Sequence, residues 1–108
     1  MATVQSQMTS GRLYNELEHR IQQINRTRIS EAAGNVSVDD LLQVVEHVSM
    51  LRARYLAAVI KFGKSNDFPA ADAQALRSLR EAFEEAMAGY EALEHAYQRG
   101  YLELANDD

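Results

Sequence analysis

The sequence predicts an all-α fold: a three-helix up-down-up bundle dominated by a long antiparallel helical hairpin. Three observations carry that expectation. The 108 residues include one proline and five glycines, whereas Ala, Leu, Glu, Arg and Gln, which favour helices, are plentiful. Apolar residues recur at helical spacing in three separate stretches. The strongest break, Gly63 to Pro69, is short, and short connections join antiparallel neighbours. Helices are expected at about 12–28, 38–62 and 70–99, the last reaching either 99 or 104. With 46% hydrophobic and 25% charged residues, the composition is that of one ordinary globular domain. The expected organisation is a flexible N-terminal arm (1–10), a single helical domain (11–104) and an acidic tail (105–108).

The arm, MATVQSQMTS, mixes small and polar residues without a period, and Ser10 can cap helix one. In helix one, Leu13, Leu17, Ile21 and Ile24 recur at spacings of four, four and three, which gives a single narrow apolar stripe. The period is lost after Ile29, and Gly34-Asn35 suits a helix end and turn. Ser37 followed by Asp39 and Asp40 has the form of an N-cap with an acidic first turn, which opens helix two.

Helix two carries Leu41, Val48, Tyr55 and Phe62 seven apart, and likewise Val44, Leu51 and Ala58. A further column, Val45, Arg52 and Val59, widens the face, and Leu56 and Ile60 add apolar surface on the far side. A helix apolar over so much of its circumference is a bundle's central element or is covered by a second chain. Gly63 is expected to close it, with Lys61 and Lys64 complementing the dipole. Arg52 is expected either to snorkel or to pair with a carboxylate such as Glu81 or Glu84 on helix three, because a buried guanidinium is costly alone.

Helix three has a large-residue column, Leu76, Phe83, Tyr90 and Tyr97, and a second core column, Leu79, Ala86, Leu93 and Gly100. Beside them Ala75, Ala82, Gly89 and Ala96 form a column of small residues that would let another helix approach closely. Folding the hairpin near residue 66 leaves Tyr97, Tyr101, Leu102 and Leu104 beyond helix two. Helix one can cover them in part and a symmetric partner chain is the other source, unless Gly100 caps the helix and turns Tyr101 back. The expected interface residues are Ala82, Ala86, Gly89, Tyr90, Leu93, Tyr97 and Tyr101.

Charge and composition exclude several functions. A net charge of −5 with only two lysines removes the phosphate attraction that underlies nucleic-acid binding. No stretch approaches the roughly 18 apolar residues of a membrane-spanning helix. The first eleven residues lack the charged start and apolar run of a secretory signal, so the cytoplasm is the expected compartment. Absence of cysteine excludes disulfides, thiolate metal sites and cysteine nucleophiles.

Chemistry-bearing spacings are few. Glu16 and His19 form the chain's one Glu-x-x-His, a spacing found in di-iron bundles, and Glu91 with His95 gives an i, i+4 carboxylate and imidazole pair. His47 in a helical domain of this size resembles, in outline, the histidine phosphotransfer modules. Those carry lysine and glycine three and four residues later, where this chain has Met50 and Leu51. No phosphate loop, nucleophile elbow or serine-histidine-acid motif is present. The sequence therefore predicts a non-enzymatic helical protein–protein interaction module without cofactor, a homodimer acting as adaptor, small chaperone, assembly subunit or regulator. The alternative is a metal-binding bundle using Glu16, His19, Glu91 and His95.

Overall fold

The computed structural model describes residues 2–67 and 69–105, with side chains from Ser10 onward. Three helices dominate: α1 (Ala2–Ala33), α2 (Val38–Lys64) and α3 (Ala70–Gln98), with two-residue strands β1 (Val36–Ser37) and β2 (Leu104–Ala105). The tail expected from 105 lies, after Ala105, outside the described residues.

α1 is longer at both ends than the apolar period suggests. It starts at Ala2, so residues read as an arm have helical backbone. No proline lies between Ala2 and Ala33 to stop the helix, and a single glycine, Gly11, is tolerated in a helix interior. The end comes at Gly34, which takes φ 72° and donates its N–H to the Ser30 carbonyl at 2.9 Å. That is the single-bond left-handed cap, for which glycine carries no Cβ penalty.

Ser37 opens α2 through a full capping box. Its hydroxyl accepts from the Asp40 N–H at 3.1 Å, and the Asp40 carboxylate accepts from the Ser37 N–H at 2.9 Å. Two otherwise unpaired donors are thus satisfied by the residues the sequence singled out. α2 runs to Lys64, one residue past Gly63, and the Ser65 N–H closes it on the Phe62 carbonyl.

α3 ends at Gln98, the shorter of its two expected lengths, because Gly100 at φ 76° reverses the chain. The Gly100 N–H reaches the Tyr97 carbonyl at 3.1 Å and the Tyr101 N–H reaches that of Ala96 at 2.8 Å, the paired bonds of a Schellman motif. The returning segment buries Leu102, half-buries Tyr101 and Leu104, and pairs β2 in parallel with β1, Val36 opposite Leu104. Of the four side chains expected to overhang helix two, only Tyr97 stays more than half exposed.

α2 and α3 pack as the expected hairpin. Leu41, Val44, Val48, Leu51, Tyr55 and Ala58 of α2 are covered to varying degrees, as are Leu76, Leu79, Phe83, Ala86, Tyr90 and Leu93 of α3. Each set alternates steps of three and four, so one seam continues along both helices. Tyr55 stacks on Phe83 with ring centroids 6.4 Å apart. Arg52 does not meet Glu81 or Glu84: its guanidinium lies 5.3 Å from the Phe83 ring centroid and donates to Met87 Sδ, while Glu84 pairs with Arg80. The ring's negative face attracts the cation without a carboxylate.

One chain does not form a compact three-helix bundle. The radius of gyration is 22.0 Å, against about 13 Å for a compact chain of this length. Instead of lying along the hairpin, α1 touches the turn after α3, where Gln22 Nε2 donates to the Arg99 carbonyl at 3.3 Å and Arg26 Nε to that of Gly100 at 2.6 Å. Only Val48 and Leu102 are buried among the described residues. Two helices cover only one side of each other, so a hairpin seam alone leaves its members half exposed.

Candidate interaction surface

The expected interface residues separate into two groups. Ala86, Tyr90 and Leu93 belong to the α2–α3 seam within the chain, and Tyr101 is half-buried in the returning turn. Ala82, Gly89 and Tyr97 are exposed. Along the small-residue column only Ala96 is partly covered, and a Cβ placed on Gly89 would meet nothing within 4 Å. None of the described helices therefore occupies that groove.

Larger uncovered apolar surfaces lie elsewhere. On α1, Leu13, Leu17 and Ile24 are 62%, 57% and 59% exposed, so most of the stripe predicted for helix one has no cover. At about 100° per residue, Leu17 and Ile24 point roughly 140–180° around the helix from Gln22 and Arg26, the two side chains that hold α1 to the end of α3. The contact that fixes α1 thus turns its apolar side outward.

α2 carries a second uncovered stripe. Val38, Leu42, Val45, Leu56 and Val59 are all exposed and follow the same steps of three and four as the seam, interrupted by Ser49 and Arg52. Sequence reasoning takes Val45, Val59 and Leu56 separately and misses that, with Val38 and Leu42, they make a second heptad register beside the first. That signal is present in the chain, because a helix with two adjacent heptad seams belongs between two neighbours. At the upper end, Val38 and Tyr97 line one open groove with Arg26 and Leu102, so Tyr97 continues this surface.

The residues considered for metal chemistry do not converge. Glu16 pairs with Arg20 at 3.1 Å on the surface of α1, and His19, His47, Glu91 and His95 are exposed on their helices. Among the described residues no three histidines or carboxylates come close enough to hold a metal ion. None of the described helices is long and apolar enough to cross a membrane.

Comparison with known proteins gives no relative from which a function could be carried over: no family model, no curated protein and no solved structure matches this chain.

Proposed function

We propose that this protein is a non-enzymatic helical interaction module, an adaptor, small chaperone, assembly subunit or regulator of the cytoplasm, whose fold is completed by association. The observation that carries the reading is the mismatch between apolar content and apolar burial. Two of the described residues are buried, while more than ten large hydrophobic side chains stay exposed on three helices. Solvated apolar stripes at heptad spacing are what helix-in-groove association uses, and the bundle expected of the sequence forms when those stripes are covered.

Small-angle scattering with dye binding to exposed apolar surface tests it. The reading predicts either an assembly or an extended monomer that binds the dye. A compact monomer with a radius of gyration near 13 Å and no dye binding would remove the need for any partner and with it the reading.

A further inference from the structure

We infer that the partner is a second copy of this chain, and that the two copies exchange α1 reciprocally, each laying its Leu13–Ile24 stripe on the outer stripe of the other's α2. This rests on the interaction-module reading and specifies its partner.

Surface area points first to a second copy. The chain exposes 8701 Å², whereas a folded monomer of its 12.1 kDa mass would expose about 6,000 Å². The excess is roughly three times the 800 Å² or so that each partner contributes to a standard interface. A short peptide seated on one stripe cannot cover it. Reciprocal exchange covers two stripes in every chain at once, as the self-complementary interface of a two-fold dimer does.

Connectivity points the same way. The connection between α1 and α2 is only Gly34 to Ser37, and its last two residues are paired with β2. With Gln22 and Arg26 bonded to the carbonyls of Arg99 and Gly100, α1 cannot turn its apolar side onto its own α2 without breaking these ties. The same surfaces remain open to each other between chains. Short, tied hinges of this kind favour exchange over intrachain closure.

The cysteine-free chain makes the arrangement directly testable. Leu17→Cys is combined with Leu42→Cys in one variant and with Leu56→Cys in another, to allow for either axial placement. Each is oxidised as a mixture of isotopically heavy and light chains, and the linked peptides are identified by mass. The expected result is an α1 peptide joined to an α2 peptide of the other isotope in at least one variant. Leu17→Cys alone should give little dimer. Efficient self-linking of Leu17→Cys, or α1–α2 links only within one isotope, would overturn the exchange.

Sedimentation of the unmodified chain should show a dimer. Leu17→Glu and Leu42→Glu, both at exposed positions, should each weaken that dimer by roughly 30-fold or more while helical content is kept. Unchanged association in both variants counts against the proposal. An unmodified chain that is extended but monomeric throughout overturns the second-copy assignment and leaves the interaction-module reading standing; a compact monomer overturns both.

Discussion

The hairpin and α1 carry the same kind of amphipathic pattern and meet opposite fates. In α2 and α3 the apolar columns face each other because α3 begins at Ala70, soon after α2 ends at Lys64, so each column finds its cover on the neighbouring helix. In α1 the stripe is as regular, yet the polar contacts of Gln22 and Arg26 orient the helix and the stripe faces solvent. Amphipathicity decides that a helix has a side to bury; connection length and end contacts decide whether its own chain can bury it.

The sharpest way to break the comparison is at the seam. Val48 is 5% exposed against α3, and Val48→Asp puts a carboxylate there without a partner. The expected cost is about 3 kcal/mol or more, seen as loss of the α2–α3 pairing in chemical denaturation followed by circular dichroism. A loss below about 1 kcal/mol would show that the seam is not the structural centre of the chain.

Next is the joint that sets α1's direction. Gly100→Ala places a Cβ at positive φ and into the Gln22 side chain, which must move off the Arg99 carbonyl. The left-handed conformation alone costs roughly 1–2 kcal/mol. Gly34→Ala carries that backbone cost with open space around it, so it should destabilise less than Gly100→Ala. Thermal unfolding of the two variants side by side reads the difference, and equal shifts would mean that the Gln22 contact contributes nothing.

Ser37→Ala should cost about 1 kcal/mol by removing the hydroxyl half of the capping box, with Ser37→Asp retaining most of the stability as the control. The smallest effect is expected at Leu13. Leu13→Ser, at a position already exposed, should change the stability of the dissociated chain by less than about 0.5 kcal/mol, measured by denaturation at high dilution. A larger loss would place Leu13 inside a core within the chain and dissolve the contrast between the two regions.

Much of the hairpin was legible in the sequence. The Ser37 cap, the Gly63–Pro69 break and the paired heptad columns are local signals, and each is set by residues within one or two turns of one another. Gly100 was readable as a cap, and its Schellman geometry decides between the two lengths expected for helix three. What was not legible is relational. The stripe of α1 does not reveal which surface covers it, and β1–β2 pairing rests on two residues at each end of a long separation. The interface residues expected on α3 stand out by size and spacing. Those same criteria describe the hairpin seam, to which Ala86, Tyr90 and Leu93 belong, whereas the second stripe of α2 shows only when Val38 and Leu42 are joined to Val45, Leu56 and Val59.

The central claim, that α1 has no core of its own within a single chain, is tested most directly by amide hydrogen exchange as a function of protein concentration. The account predicts that, under dilution to the monomer, residues 12–28 lose protection well before the α2–α3 seam around Val48 and Phe83, and regain it on association. Equal protection of α1 and the hairpin in a demonstrated monomer would contradict the account, because α1 would then be packed on its own chain.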